Sequence, residues 1–282
     1  MTGQSNPLNE ILMNLELGAD SIYKSEFSNT SQEKEIALRE NVAADQYDDY
    51  LAAISRYHSI PVMDWEVSRA LGKLSENVII LDVGGCWGWH WRKIAQNRPD
   101  IKVVIIDFIR QNLIHAQALL GELLHDQIFL VHGDATQLPF PDDTFDLVWT
   151  VQTLQHIPNF ESAVQESHRV LTVGGTFINY SFNRALLIEF IFKLFRKKYH
   201  IKGHNVTMYL ALASNEQKQI IEYIFGNEVY SRFTEILFHP DIKFSLTGKE
   251  NNLLGRLDAW LGGSLFLLRW LARQQSYEVL KL

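Results

Sequence analysis

Apolar residues follow two rhythms along this chain, and the switch between them is sharpest at residues 78–95. Val78-Ile79-Ile80-Leu81 is a continuous apolar run that closes on Asp82-Val83-Gly84-Gly85-Cys86-Trp87-Gly88. Trp91, Ile94 and Ala95 then recur at helical spacing. That pattern predicts a buried strand, a tight glycine-rich turn and a helix. Four further strands are expected at Lys102–Asp107, Gln127–Val131, Phe145–Val151 and Thr176–Ser181. Helices are expected between them at about 89–96, 111–124 and 160–171. Strands alternating with helices imply a parallel sheet covered on both faces. Upstream, Tyr47, Tyr50, Leu51 and Ile54 step by threes and fours, suggesting a helix from about Ser31 to Ile54. Pro61 interrupts it, and another helix is expected from Val62 to Leu74. Downstream, helices are expected at Ala185–Lys198, Ser214–Phe225 and Leu257–Leu271. Strands are expected at Glu228–Phe238 and Tyr277–Leu282. The layout is a helical lid over residues 1–75 and an α/β domain over 76–282, with insertions at about 184–213 and 239–275.

In such sheets ligands bind beyond the carboxyl ends of the strands. The residues expected there are Gly84, Gly85 and Gly88, then Asp107, Asp134 and Gln152. Glycine lets backbone N–H groups approach a ligand closely. Asp107 stands where a nucleotide site of this kind uses a carboxylate to bind ribose hydroxyls. Asp134 suits an adenine amine, Ala135 offers a backbone N–H, and Phe108 with Leu138 suits the faces of a base. A dinucleotide fingerprint fails on spacing, because Cys86 and Trp89 stand where the second and third glycines belong. No Gly-Lys-Ser/Thr follows the turn, so a Walker loop is absent as well.

Composition narrows the classes. The 282 residues are 46% hydrophobic, and the net charge of −7 argues against a protein that grips nucleic acid through its phosphates. One cysteine leaves neither a disulfide framework nor a cysteine-rich zinc site. His90, His115, His125 and His132 lack metal-ligand spacing, so no metal is expected. Residues 1–10 do not read as a secretory signal, and Ala185–Phe195 is too short to span a bilayer. The expected location is the cytoplasm.

The pieces LDVGGCWGWH, VVIIDF, HGDATQLPFPDDTFDLVW, LQHI and ESHRVLTVGG stand in order over about a hundred residues. Together they resemble the class I S-adenosylmethionine-dependent methyltransferases, in particular the methyltransferase type 11 group acting mostly on small molecules. The resemblance implies a Rossmann-like sheet of seven strands, the last antiparallel, with Ser214–Phe225 as its final helix. It implies S-adenosylmethionine as cofactor. Asp82, Gly84, Gly85 and Gly88 would face the methionine end, Asp107 and Phe108 the ribose and base, Asp134 and Ala135 the adenine. Gln152 would lie near the methyl group, and Tyr47 resembles an N-terminal tyrosine that reaches the cofactor. Cys86 departs from the pattern, where the family's loop usually has glycine.

Methyl transfer from a sulfonium is an in-line displacement, so holding the partners in line and excluding water does most of the work. A base is needed only where the acceptor proton is hard to lose. His156, after the fourth strand, is the leading candidate; His58 and Tyr57 in the lid are weaker ones. Thr150-Val151-Gln152-Thr153 replaces the N/D-P-P-Y/F-like tetrapeptide of amino-group methylation, which leans toward an oxygen or carbon acceptor. Residues 185–202 combine Phe190, Ile191, Leu194 and Phe195 with Lys193, Arg196, Lys197, Lys198 and Lys202. A cap helix packed on Leu257–Leu271 is favoured there over a membrane-surface helix. Methyl transfer to a small-molecule or biosynthetic-intermediate acceptor is the expected function; a lipid-linked or glycan acceptor at a membrane surface and a non-catalytic scaffold are the alternatives.

Overall fold

Alternate residues of each central strand feed two separate cores, one on either face of a single sheet. The computed structural model describes residues 7–26, 47–197, 215–240, 248–263 and 266–282. In chain order the elements are α1 (Pro7–Leu12), β1 (Glu16–Leu17), β2 (Tyr23–Lys24), α2 (Tyr50–Ile54), α3 (Ile60–Leu71) and β3 (Ile79–Val83). Then come α4 (Ile94–Asn97), β4 (Lys102–Asp107), α5 (Arg110–Leu120), β5 (Ile128–His132), β6 (Phe145–Val151) and α6 (Phe160–Val170). The chain closes with β7 (Leu171–Phe182), α7 (Leu186–Leu194), α8 (Asn215–Phe225), β8 (Tyr230–Thr234), α9 (Leu253–Leu261) and β9 (Gln274–Leu280). Most of the helix expected from Ser31 to Ile54 lies outside the described residues; its last turn is α2.

The sheet runs β1-β2-β5-β4-β3-β6-β7-β9-β8. β2 through β7 pair in parallel, and β9 is antiparallel to both β7 and β8. This is the Rossmann-like arrangement expected, with β9 as the reversed strand. It has nine strands rather than seven, because residues 16–17 and 23–24 extend the edge beside β5. Ile79, Leu81, Val104, Ile106 and Val131 face a core covered by α1, α6 and α8. Ile80, Val103, Ile105, Leu130 and Trp149 face one covered by α3 and α5. Burying both faces is why these strands read as apolar runs rather than as alternation.

Several expected elements are shorter than their patterns, among them the helix expected over Ala185–Lys198, which runs from Leu186 to Leu194. The helix after the glycine turn is split into a 3₁₀ turn at Trp89–Trp91 and the four-residue α4. The helix expected over Leu257–Leu271 ends at Leu261, and a separate 3₁₀ turn covers Phe266–Trp270. Gly263 between them has φ +70°, and a Cβ there would overlap the Arg232 guanidinium. The strand expected to reach Phe238 stops at Thr234, because Glu235 has φ +53°. Beyond it the buried Asp258 carboxylate accepts from the N–H groups of Ile236, Leu237 and Phe238 at 2.7, 3.0 and 3.0 Å. Pro61 begins α3 rather than breaking a helix, in keeping with proline's tolerance of the first helical turn.

α3 is fastened to the antiparallel end of the sheet by buried charge. Glu66 is fully buried and accepts from the Tyr180 hydroxyl (2.9 Å), Arg69 Nε (3.0 Å) and Arg232 Nε (3.0 Å). Arg69 also reaches Glu278 on β9 at 2.6 Å. Three donors on one buried carboxylate satisfy a charge that is otherwise expensive to desolvate. Replacing Glu66 by Ala would leave Arg232 and the Tyr180 hydroxyl without that acceptor. Glu66→Ala is expected to lower unfolding free energy by about 3–5 kcal/mol, the range for breaking a buried pair, as read from urea denaturation. A loss under about 1 kcal/mol would show that the network does not hold α3 in place.

Candidate functional site

The carboxyl ends of β3, β4, β5 and β6 meet at one rim of the sheet, and the turn leaving β3 crosses between them. Gly84, Cys86 and Gly88 all have positive φ, at +68°, +52° and +64°. A Cβ on Gly84 would run into the Thr153 side chain, and one on Gly85 would lie 2.5 Å from an Asp82 carboxylate oxygen. The turn is therefore packed against its supports with no room for side chains at these two points. The left-handed φ at Cys86 is the physical reason glycine is usual at this position, and cysteine adopts it at a cost in strain.

Three side-chain contacts fix this turn, beside the bond from the Gly84 N–H to the Ile106 carbonyl at 2.7 Å. Trp91 Nε1–H donates to Asp82 Oδ2 at 2.7 Å from beneath it. The Cys86 N–H donates to Asp107 Oδ2 at 2.9 Å across to β4. The Thr153 hydroxyl donates to the Gly84 carbonyl at 3.0 Å across to the tip of β6. Asp107 also accepts from the N–H of Ile109 (2.8 Å) and from Asn112 Nδ2 (3.2 Å), which holds its carboxylate at the strand end. Burial pushes the Asp82 carboxyl up to about 7; the Trp91 bond opposes this and the nearby Asp107 adds to it. Asp82 Oδ1 is buried without a hydrogen-bond partner.

The other expected residues fall around this centre. Asp134 is buried, and its Oδ1 accepts from the N–H (2.8 Å) and hydroxyl (2.9 Å) of Thr136. Ala135 is half-buried, and Phe108 is half-buried beside Asp107. Leu138, expected opposite Phe108, is instead buried in the core. Gln152, just past β6, has φ +53°, and its buried Nε2 has no partner. Backbone strain of this kind clusters at functional sites. Tyr47 lies 4.8 Å, centroid to centroid, from Trp87 of the turn. His156 sits in the 3₁₀ turn Leu154–His156, its Nε2 3.4 Å from Gln155 Nε2. Gln155 Oε1 in turn accepts from the Phe182 N–H at 3.2 Å, joining the tips of β6 and β7.

Several contributors escaped sequence reasoning. Trp91 and Thr153 carried no signal beyond apolar or strand-end position. Tyr50 and His115 complete an aromatic group with Tyr47 and Trp87: the Tyr50 hydroxyl meets His115 Nδ1 at 3.0 Å. His90 is buried between Trp89 and Trp149, at 4.1 and 6.1 Å, with neither ring nitrogen bonded. His58 lies 5.8 Å from Trp89; burial, with Arg273 second, pushes its imidazole down to about 3. Burial, with His58 and Arg92 adding, likewise holds the His90 imidazole well below its ordinary value, so both rings are neutral at pH 7. Tyr57 is exposed. No group of three metal-ligating side chains occurs among the described residues.

The arrangement suits a ligand carrying a diol and a cationic tail. Carboxylates stand at two strand ends, a third keeps one oxygen without a hydrogen-bond partner beside a turn with three glycines, and an amide donor lies just past β6. The family described as "Methyltransferase domain" (Methyltransf_11) matches residues 81–179. A sterol 4-C-methyltransferase of Caenorhabditis elegans is 33% identical over 108 residues, covering 38% of this chain and 32% of that protein. The human mitochondrial 2-methoxy-6-polyprenyl-1,4-benzoquinol methylase is 33% identical over 103 residues, 34% of this chain and 32% of that one. The chain thus spans about a third of the length of these curated relatives. A SAM-dependent methyltransferase of Aquifex aeolicus shares the fold at TM-score 0.53 and 14% identity, covering 91% of this chain and 100% of that one.

The strain at Cys86 can be measured. A left-handed non-glycine residue costs roughly 1–2 kcal/mol, and glycine's extra unfolded-state freedom roughly 0.5–1 kcal/mol. Cys86→Gly is therefore expected to hold or slightly raise the urea midpoint. Cys86→Val, β-branched at positive φ, is expected to lower stability by about 1–3 kcal/mol. Equal effects of the two substitutions would contradict the strain.

Proposed function

We propose that residues 81–179, which match the methyltransferase-domain family, form a class I S-adenosylmethionine-dependent site that methylates an oxygen or carbon atom of a small-molecule biosynthetic intermediate. The observation that carries the reading is the convergence of Asp82, Asp107, Asp134 and Gln152 on the glycine turn from four strand ends. When bound, the cofactor supplies an electrophilic methyl group already activated by a sulfonium charge.

The chain's own residues then hold and shield. Asp107, fixed by three donors, accepts the ribose hydroxyls. Asp134 and Ala135 meet the adenine edge, and Phe108 a face of the ring. Gly84, Gly85 and Gly88 keep side chains away from the methionine end, where the unpaired Asp82 oxygen faces cationic charge. The Gln152 amide, its Nε2 without a partner, would lie near the methyl group. Tyr47, with Trp87, closes one side, and the segment from Tyr47 to His58 acts as the lid that excludes water. His156 takes a proton from the acceptor when that proton is hard to lose. The curated relatives named above are methylases of a sterol and a polyprenyl quinol, so phenolic, quinol and sterol-like acceptors are the first to test. A cytoplasmic location fits this reading.

A lipid-linked acceptor is a second reading, favoured by the exposed apolar face of α7. A non-catalytic scaffold rests on Cys86 alone, and a strained turn does not require an idle site. The experiment is transfer of labelled methyl from S-adenosylmethionine to a panel of such acceptors. Product with at least one acceptor class supports the proposal. Cofactor binding with no transfer to any class favours the scaffold.

Two outcomes probe the assigned roles. His156→Ala is expected to lower kcat by about 10²–10⁴-fold, with cofactor affinity retained; an unchanged kcat removes it as base. Asp82 is protonated below about pH 7 in the free protein and ionised when cationic charge lies against it. Affinity for S-adenosylmethionine is therefore expected to rise by up to about tenfold per pH unit from pH 5 toward 7, then level off. Asp82→Asn is expected to flatten that slope, as measured by calorimetry; an identical slope would place the titrating group elsewhere.

A further inference from the structure

α7 is anchored by a narrow stripe and presents a wide apolar one. Ala185 and Ile188 are buried and Phe192 half-buried, at steps of three and four along one side. The opposite side carries Leu186, Leu187, Phe190, Ile191, Leu194 and Phe195, all exposed, with Phe190 at 56%, Leu194 at 65% and Phe195 at 72%. At about 100° per residue these six fill one continuous half of the helix surface. Their inward neighbours already hold the helix on the protein, so packing against the fold does not explain them. The helix rests on the 3₁₀ turn Phe266–Trp270, where Trp270 is 51% exposed and the Arg269 guanidinium lies 5.5 Å over its ring. Asn183 Nδ2 ties this turn to the start of α7, donating to the carbonyls of Arg269 (3.0 Å) and Ala272 (2.8 Å).

Charge chooses between occupants. Lys193, Arg196 and Lys197 cluster at the C-terminal end of α7, and none of them forms an ion pair among the described residues. Glu189, the one acid between Arg184 and Lys197, is bound to Arg184 at 2.6 Å. This cationic end stands on a chain whose net charge is −7, so it is not a general property of the surface. An apolar half-cylinder flanked by unpaired cations, with a tryptophan and an arginine beside it, matches the boundary between acyl chains and anionic headgroups. α7 has nine residues, about 14 Å of helix against a hydrocarbon core of about 30 Å, so the contact is a lying one.

We propose that the outward face of α7 docks on the surface of an anionic lipid bilayer. An aqueous enzyme would then work beside the reservoir of any apolar acceptor. Docking does not depend on the acceptor reading, because vesicle binding and cofactor binding are measured separately.

The test is flotation of the full chain with vesicles of phosphatidylcholine containing about 30 mol% phosphatidylglycerol, against pure phosphatidylcholine vesicles. Binding is expected to the anionic vesicles and to weaken steeply as salt rises. Phe190→Glu with Phe195→Glu should abolish it. Lys193→Glu, Arg196→Glu and Lys197→Glu together should weaken it at least about fiftyfold. Both variants should keep native circular dichroism and native S-adenosylmethionine binding, which separates lost docking from lost folding. Absence of flotation of the native chain overturns the proposal, as does equal binding to neutral vesicles. A light-scattering dimer that Phe190→Glu splits, without vesicle binding, assigns the face to a second copy and also overturns it.

Discussion

Everything at the rim depends on how the turn after β3 is pinned. It leaves the sheet between two strand ends, reverses direction through three positive-φ residues and is held from three sides. Trp91 holds it through Asp82, Asp107 through the Cys86 N–H, and Thr153 through the Gly84 carbonyl. Each tether comes from a different element: the 3₁₀ turn after the loop, β4, and the segment after β6. The spacing of the rim's polar groups is therefore set by the sheet, whose neighbouring strands stand about 4.8 Å apart, and not by the loop itself. A loop so held pays its ordering cost on folding rather than on binding.

The remaining architecture keeps the rim rigid below and covered above. Glu66 joins α3 to β7 and β8, while Arg69 carries the same network to β9. At the upper edge, Asp258 gathers three backbone N–H groups after β8, and the buried Glu235–Arg273 pair lies at 2.7 Å beside it. Ser59 N–H donates to Glu235 at 3.1 Å, so the start of α3 is tied to the same point. The antiparallel end of the sheet and α3 are thus tied together at two points. The α7 segment stands apart from this network, with its apolar side turned outward.

What the sequence made legible was local. Apolar runs located β3 to β6 to within a residue or so, because burial on both faces leaves no polar interruptions. The placement of the glycine turn, Asp107, Asp134 and Gln152 at strand ends was read from the alternation of strands and helices, and Asp82 from the family resemblance. Long-range pairs were invisible: Glu66 meets Tyr180 across 114 residues and Arg232 across 166, and no spacing rule links them. Backbone conformation was hidden too, since nothing in the word GGCWG says that Cys86 carries a positive φ. The outward turn of α7 was ambiguous for a related reason. An apolar stripe marks a buried face and an interfacial face equally well, and only observed exposure separates them. The lengths of α9 and β8 were overestimated because Gly263 and Glu235 end them through φ, not through hydropathy.

The account stands or falls on whether this rim binds S-adenosylmethionine through the end of β4. Calorimetric titration of the purified chain with S-adenosylmethionine and S-adenosylhomocysteine, beside Asp107→Ala checked for native circular dichroism, tests it most directly. Dissociation constants of about 1–100 µM for the native chain, the range in which enzymes bind their substrates, are expected. Loss of both in Asp107→Ala would establish the site and its anchor. No binding by the native chain, or equal binding by folded Asp107→Ala, would contradict it.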